Sequence, residues 1–475
     1  MINQLLPINN IKEISKLNIK VVFHVLQAFI LFWCSLTILS FFIPIKSSPF
    51  FSFCIVLFCS TISLLFISYK QNRYLGKGII TTSLIIFFLK LIIGLIHWFY
   101  FIDSDYWIDP FRIDFHWDYL WLHEGTEYLT SMREKYGYAS PTALTKYIAY
   151  YISAKSTFIF YILSDLYYFA GKFALNISIV NNLFSLFTAF IIGNVTSILL
   201  NDKRSGRLAF FITAIQGFSI IPSIMMRDII GQTLIAIGVL LMYVNRKNTI
   251  QLIILTPLIV FLFFSQRSLY AIIPLMVIGI NFLRKEGKYK ILLRTALVIS
   301  GVILIPIVLS LFSFFETFDT YTEGGSTYSF ISNPVFLLSF PLQVTKGILS
   351  PFPWYQFFDH IDSKLGLVYQ PMFYWQSVIN TTIIILMMRA LINNKFVLNE
   401  MTISGLILLF IGSMSGFLNS TYISVGFIFF IPNLSIYSIR TWGRTLTLVL
   451  ISFLLVNLIY YIFDLKGLTS FFRFN

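Results

Sequence analysis

The sequence predicts an all-α fold: a polytopic transmembrane helical protein with about 13 spans and two large external segments, in a single integral membrane domain of residues 1–475. Hydrophobic residues make up 57% of the chain and charged residues only 11%, whereas soluble domains carry about 25% charged residues. Apolar runs of about 20 residues, the length of a membrane-crossing helix, recur along the chain. Because backbone groups in lipid must satisfy their own hydrogen bonds, such runs form helices rather than open sheets.

Short basic turns between the apolar runs set the order of the spans. The net charge of +14 comes mostly from lysines and arginines in these turns, which fits the positive-inside rule and does not indicate a nucleic-acid partner. Lysines before the first span predict a cytoplasmic N-terminus. The predicted spans are Val21–Pro44, Phe50–Tyr69, Ile79–Phe101, Ile179–Leu200, Leu208–Ser223, Ile229–Val244, Thr249–Ser265, Leu269–Leu283, Ile291–Phe315, Tyr369–Met388, Ile403–Phe417, Ile423–Tyr437 and Leu446–Phe463.

Two predicted external segments interrupt this alternation. The first, residues 102–177, begins with an acidic stretch threaded with aromatic residues and continues as one or two amphipathic helices at the outer interface. The second, residues 316–366, contains a proline-broken apolar piece that is predicted to be re-entrant or interfacial. All of the 20 acidic residues except Glu13, Asp202, Glu286 and Glu400 fall on the predicted outer side. Acidic residues do not set topology strongly, so this crowding favours a functional outer surface.

The candidate functional residues are therefore external carboxylates, cations and aromatic rings. No Walker A loop, dinucleotide fingerprint, GxSxG elbow or HExxH motif occurs, so nucleotide-dependent chemistry has no support in the sequence. A carboxylate is suited to act as general base, an arginine to hold phosphate oxygens, and an indole ring to stack on a sugar. The candidate catalytic residues are Asp103, Asp105 and Arg267. The candidate substrate-binding residues are Lys90, Trp117, Asp118, Glu124, Glu127, Arg227, Asp228, Lys346 and Trp354.

Structural interpretations stay open for several of these residues. Lys90, near the middle of the third span, is interpreted either as one half of an ion pair or as a ligand of a substrate phosphate. Asp228 is interpreted either as a helix cap with Arg227 anchored in lipid headgroups, or as part of a binding site. Arg267 lies in a very short turn, which favours function. Each single acid is also interpreted as a solvated residue.

No cofactor is predicted. His123, Glu124 and Glu127 are spaced to form a corner for a divalent metal, and this is the less favoured interpretation of those residues. The favoured interpretation is that these three residues are solvated at the membrane interface.

Three stretches resemble a known family. They are the loop acids Asp103-Ser104-Asp105, the run from Asn181-Asn182-Leu183-Phe184-Ser185 through Asp202-Lys203-Arg204-Ser205-Gly206-Arg207-Leu208-Ala209 to Arg227-Asp228, and Ser350-Pro351-Phe352-Pro353-Trp354. In these stretches the chain resembles bacterial O-antigen and capsular polysaccharide repeat-unit polymerases, and more broadly the glycosyltransferase C superfamily. In that superfamily the loop acid follows the first span, whereas two further spans precede it here, which favours the polymerase branch.

The resemblance implies an activity, a substrate and a location. The substrate would be a polyprenyl-pyrophosphate-linked oligosaccharide, and transfer would occur on the outer face of the bacterial inner membrane with pyrophosphate as the leaving group. The cations Arg227, Arg267 and Lys346 would stabilise that leaving charge. Membrane lipids and a chain-length regulator are the implied partners. A flippase for the same lipid-linked oligosaccharide is the alternative function, and a non-catalytic membrane scaffold is a third.

Overall fold

The computed structural model describes residues 11–101, 115–142, 157–216, 228–246, 248–265, 268–284, 364–414 and 425–462. Within these ranges the chain forms helices joined by short turns and contains no strand, which confirms the predicted all-α class. The described helices are α1 (Ile11–Phe42), α2 (Pro49–Leu75), α3 (Ile79–Phe101), α4 (Phe115–Tyr136), α5 (Thr157–Ala170), α6 (Ala174–Leu200), α7 (Lys203–Ile215), α8 (Asp228–Asn245), α9 (Thr249–Phe264), α10 (Ile272–Arg284), α11 (Lys364–Ile392), α12 (Glu400–Met414), α13 (Val425–Leu434) and α14 (Ile439–Ile462).

Six described helices contain segments that are long and apolar enough to cross a membrane. These segments are Lys20–Phe42, Pro49–Leu75, Ile79–Ile96, Ala174–Leu200, Tyr374–Ile392 and Ile439–Ile459. The other apolar helices are shorter, such as Ile250–Phe264 and Val425–Leu434. Since a helix rises about 1.5 Å per residue, a helix of 10–17 residues does not reach across about 30 Å of hydrocarbon. The predicted number of about 13 spans is therefore not confirmed, and the predicted span Ile291–Phe315 lies outside the described residues.

Local sequence explains where several helices begin and end. Asp202 caps α7, because its carboxylate accepts hydrogen bonds from the backbone N–H groups of Arg204 and Ser205 at 3.0 and 2.9 Å. Asn248 caps α9 in the same way through the N–H of Gln251. Helix α2 ends at Gly76, whose φ of +84° is accessible to glycine at low cost. These caps fix the turns between α6 and α7, between α8 and α9, and between α2 and α3.

Helix α6 is the centre of the bundle. All of its residues from Asn176 to Ser197 are buried, and it packs against α1, α2, α3, α7 and α8. Its closest neighbour is α7, where a Cβ added to Gly193 would lie 2.9 Å from the carbonyl oxygen of Gly206. The absence of side chains at these two glycines lets the two backbones touch.

Contacts between turns fall into two groups at opposite ends of the helices. At one end, the Ser197 hydroxyl donates to the Tyr74 carbonyl and Arg207 donates to the Lys77 carbonyl, which joins the α2–α3 turn to the α6–α7 turn. At the other end, the Ser52 hydroxyl donates to the Ala170 carbonyl, which joins the α1–α2 turn to the α5–α6 turn. In each group the contact joins two turns that the charge pattern assigns to the same side of the membrane.

Much of the first predicted external segment is helical. Helix α4 occupies the second half of the acidic stretch, and α5 packs against α4, α1 and the 3-10 turn Ile45–Ser47. The residues of α5 such as Phe160, Leu163 and Tyr167 are fully buried, so this helix lies inside the packed end of the bundle. The proline-broken piece of the second segment lies outside the described residues, and α11 begins at Lys364, within the range given to that segment.

Candidate functional site

Lys90 is a buried cation near the middle of α3. Its side chain is only 2% exposed, and its Nζ donates a 2.8 Å hydrogen bond to the Oγ of Ser185 on α6. None of the ion pairs among the described residues includes Lys90. A charge at this depth is costly and marks a functional site by default. The described contacts therefore do not support the interpretation of Lys90 as one half of a structural ion pair.

A polar stripe on α6 faces Lys90. Its members are spaced three and four residues apart, so they share one face of the helix. They are Ser178, Asn181, Asn182, Ser185 and Thr188, and all are buried. The stripe meets α3 through Lys90 and meets α8 through Thr233, whose hydroxyl lies 2.9 Å from the hydroxyl of Thr188. Three helices thus bring their polar residues together inside an apolar bundle.

Two amides, one within the stripe and one on α8, have no hydrogen-bond partner among the described residues. Both side-chain polar atoms of Asn182 on α6 are buried without a partner, and so are both of Gln232 on α8. An unpartnered buried polar group costs about 1–3 kcal/mol. Two neighbouring hydroxyl groups have backbone partners, since Ser185 donates to the Asn182 carbonyl and Thr233 donates to the Phe184 carbonyl. Among the described residues, the side chains of Asn182 and Gln232 therefore keep their full hydrogen-bonding capacity.

The last turns of α4, the turn that follows and α5 form a second cluster with its own cation, Arg133. The guanidinium group of Arg133, 1% exposed, lies over the rings of Tyr161 and Tyr138 at 3.9 and 4.7 Å. Its Nη1 donates to the Ser164 hydroxyl and forms an ion pair with the carboxylate of Asp165. Tyr138 donates its phenolic proton to the same carboxylate. This bond, the Asp165 charge and above all burial raise the pKa of Tyr138, so its hydroxyl stays protonated.

His123 links α4 to α5. Its Nδ1 lies 2.6 Å from the hydroxyl of Tyr167, and its Nε2 lies 3.9 Å from a carboxylate oxygen of Glu127. Burial lowers the pKa of His123, and the charges of Glu127 and Glu124 oppose that shift without reversing it. The side chain of Glu124 is exposed. In the described ranges no three His, Cys, Asp or Glu residues form a group that could hold a metal ion.

The predicted site residues are unevenly covered by the structure. Six lie outside the described residues: Asp103, Asp105, Arg227, Arg267, Lys346 and Trp354. Trp117 and Asp118 lie on α4, and Asp228 is the first residue of α8. Glu124 and Glu127 lie on α4 beside His123, and Lys90 lies in the bundle apart from that helix. The described geometry therefore shows Lys90 as a buried lysine of the bundle and places the acids of α4 on a helix.

Arg133, Asn182 and Gln232 were not predicted as site residues. The spacing of polar residues in α6 was visible in the sequence, and it indicates one polar face on an otherwise apolar span. Gln232 has no such signal, because a single glutamine in an apolar run is common. Arg133 lies in a charged segment, so its sequence surroundings are typical of an exposed helix position.

Together these helices define a polytopic α-helical membrane protein with buried polar residues in its core. Comparison with protein-family models, curated proteins and solved structures gave no match.

Proposed function

We propose that this protein is a membrane glycosyltransferase that polymerises or transfers polyprenyl-pyrophosphate-linked oligosaccharide on the outer face of a bacterial inner membrane. The observation that carries this proposal is Lys90, a buried cation at hydrocarbon depth for which no described carboxylate is a partner. A lipid phosphate drawn below headgroup depth into the helix bundle would supply the counter-charge that Lys90 lacks among the described residues. Lipid-linked sugars carry a phosphate of this kind.

The external residues have distinct roles in this proposal. Asp103 or Asp105 removes the proton from the acceptor hydroxyl as general base. Arg227, Arg267 and Lys346 stabilise the charge that develops on the departing pyrophosphate. Trp117 and Trp354 offer faces for sugar stacking, and Asp118, Glu124, Glu127 and Asp228 offer hydrogen bonds to sugar hydroxyl groups. The reaction needs no nucleotide, in agreement with the absence of nucleotide-binding motifs from the sequence.

A flippase for the same lipid-linked oligosaccharide is the second candidate function. The specific observation in its favour is the depth of Lys90 and of the α6 stripe, since a carrier requires polar groups along a path through the membrane. The concentration of acidic residues on the predicted outer side favours the enzyme, because a flippase handles its cargo on both sides.

Cell-surface glycan length distinguishes the two functions. Cells would carry Lys90→Met, Asp103→Asn, Asp105→Asn or Arg267→Ala, each at a verified normal membrane level. The polymerase predicts that long glycan is replaced by single lipid-linked repeat units facing outward. Accumulation of the repeat unit on the cytoplasmic side would instead establish the flippase. Unchanged glycan in all four variants would contradict both proposals.

A further inference from the structure

We propose that Asn182 and Gln232 bind hydroxyl groups of the sugar nearest the lipid, beside the phosphate bound by Lys90. This inference rests on the proposed function, because it assigns the two residues to the same substrate. It adds a site for sugar hydroxyls within the bundle, at a distance in sequence from the external acids and aromatic residues. The two amides would form hydrogen bonds with the sugar hydroxyl groups, whereas Lys90 would bind the phosphate of the lipid.

Asn182 on α6 and Gln232 on α8 lie close to the turn of α6 that Lys90 contacts. The Oγ of Ser185, which receives the hydrogen bond from Lys90, donates to the backbone carbonyl of Asn182 one turn away. On the other flank, the hydroxyl of Thr233 donates to the Phe184 carbonyl at 2.9 Å. Gln232 precedes Thr233 in α8 and is therefore level with the same turn of α6. Lys90 and Thr233, the chain neighbour of Gln232, thus both contact the turn of α6 that begins at Asn182.

The unpartnered atoms identify the chemistry of the ligand. Each amide offers an N–H donor and a carbonyl acceptor, and in both residues all side-chain polar atoms are buried without a partner. An ionised phosphate only accepts hydrogen bonds, so it would leave the oxygens of Asn182 and Gln232 unsatisfied. A hydroxyl group donates and accepts, so a ligand with several hydroxyl groups satisfies both ends of each amide. A sugar attached to the lipid phosphate has this property.

Asn194 provides a matched control on the same helix. It is also buried, but its Nδ2 donates to the Phe190 carbonyl at 2.7 Å, so its amide is partly satisfied within α6. It lies three turns from Asn182, well away from Lys90. Replacing it tests whether loss of any buried asparagine from α6 disturbs binding.

The experiment measures binding to the purified full chain in lipid nanodiscs. The probes are polyprenyl pyrophosphate without sugar and the lipid-linked oligosaccharide extracted from the host cells. The proteins are the unchanged chain, Asn182→Leu, Gln232→Leu and Asn194→Leu. Leucine is chosen because replacing an unsatisfied polar group by an apolar one of similar size does not leave a new unpaired atom. Thermal unfolding of each variant without ligand checks that it is folded. If a leucine variant is not folded, the alanine variant at the same position, Asn182→Ala or Gln232→Ala, is used in its place.

We expect the sugar-bearing lipid to bind the unchanged chain about ten-fold more tightly than the bare lipid, since each amide adds hydrogen bonds. Asn182→Leu and Gln232→Leu should each lower this preference several-fold, with the affinity for the bare lipid unchanged. Asn194→Leu should keep the preference. Equal binding of the two lipids by the unchanged chain, or a preference that survives both substitutions, would overturn the inference and leave the proposed function standing. An equal loss in Asn194→Leu would also overturn it, and failure to bind either lipid would contradict the proposed function itself.

Discussion

The ammonium group of Lys90 is held among apolar side chains, where it loses its hydration and in return donates one hydrogen bond to Ser185. Placing a lysine at the centre of a membrane helix costs about 2.5–3.5 kcal/mol on insertion scales. A residue of this kind lowers stability unless a ligand brings a counter-charge. The free energy that Lys90 costs the ligand-free protein can therefore be measured by replacing it.

Replacing Lys90 by methionine should leave the ligand-free protein as stable as before or more stable by about 1–2 kcal/mol, because the side chain keeps its length and loses its buried charge. Thermal unfolding in detergent measures this change. Lys46→Met is the control, since Lys46 is exposed in a turn and lies over the ring of Tyr168. A large loss of stability in Lys90→Met would assign Lys90 a structural role instead.

The Arg133 cluster should be a strong local stabiliser. Removing one partner of a buried ion pair costs about 3–5 kcal/mol, and the lower end applies here because Asp165 is 20% exposed. We expect Arg133→Met to destabilise the protein by about 3 kcal/mol, and the double variant with Asp165→Leu to recover part of that loss. Lys172→Met, which removes a more exposed pair with Glu134, should cost less than about 1 kcal/mol. Equal costs for the two single variants would refute the assignment.

The pH dependence of the α4–α5 contact follows from His123. Its pKa is lowered in the folded protein, so the unfolded chain binds more protons between that lowered value and about 6.5, and stability falls as the pH falls through this window. Hydrogen exchange of the α4 amides should therefore accelerate between about pH 7 and pH 5, beyond the intrinsic change in exchange rate. In His123→Leu this acceleration should vanish. Exchange in α4 with the same pH profile in both proteins would rule out His123 as its origin.

At the scale of the elements, the contact between α6 and α7 depends on two glycines. A Cβ at Gly193 would lie 2.8 Å from the Cβ of Phe210, and a Cβ at Gly206 would lie 2.5 Å from the Cβ of Ser197. We expect Gly193→Val to separate the helices and destabilise the protein by about 1–3 kcal/mol, measured by thermal unfolding. Gly443→Ala in α14 is the control, because a Cβ there meets nothing within 4 Å. A Gly193→Val protein as stable as that control would contradict the close packing.

The helices that the sequence predicted best are apolar ones, whatever their length. The predicted span Ile79–Phe101 coincides with α3, and Thr249–Ser265 differs from α9 by one residue. Helix α4 was not predicted, because its acids and aromatics were interpreted as an external loop. Composition alone also could not show that α5 is packed inside the bundle, since its burial depends on α1 and α4, which are distant in sequence.

At the scale of the whole molecule, the two groups of turn contacts predict which residues share a side. Lys46 and Lys172 belong to one end, and Lys77 and Arg207 belong to the other. A membrane-impermeant maleimide applied to intact cells should therefore label cysteines placed at the first two positions and not at the last two. The native cysteines Cys34, Cys54 and Cys59, which are free, would first be replaced by serine. If only one of Lys46 and Lys172, or only one of Lys77 and Arg207, were labelled, the two positions of that pair would not share a side of the membrane.

The candidate site could be predicted only in part, because its contacts join residues that are far apart in the sequence. Lys90 was singled out from the sequence because a charge in an apolar run is conspicuous. Its contact with Ser185 joins residues that are 95 positions apart, and the unpartnered state of Asn182 and Gln232 depends on how three helices pack. Such a state belongs to the assembled bundle, so no local pattern in the chain predicts it.

The most direct test of the central claim is the binding of polyprenyl pyrophosphate to the purified protein, with and without Lys90→Met. If Lys90 holds the lipid phosphate, the unchanged protein binds this lipid and Lys90→Met weakens binding at least ten-fold, which corresponds to about 1.4 kcal/mol. Lys46→Met should bind as the unchanged protein does. Equal affinity in Lys90→Met and the unchanged protein, with both folded, would show that the buried lysine serves another purpose and would remove the main support for the proposed function.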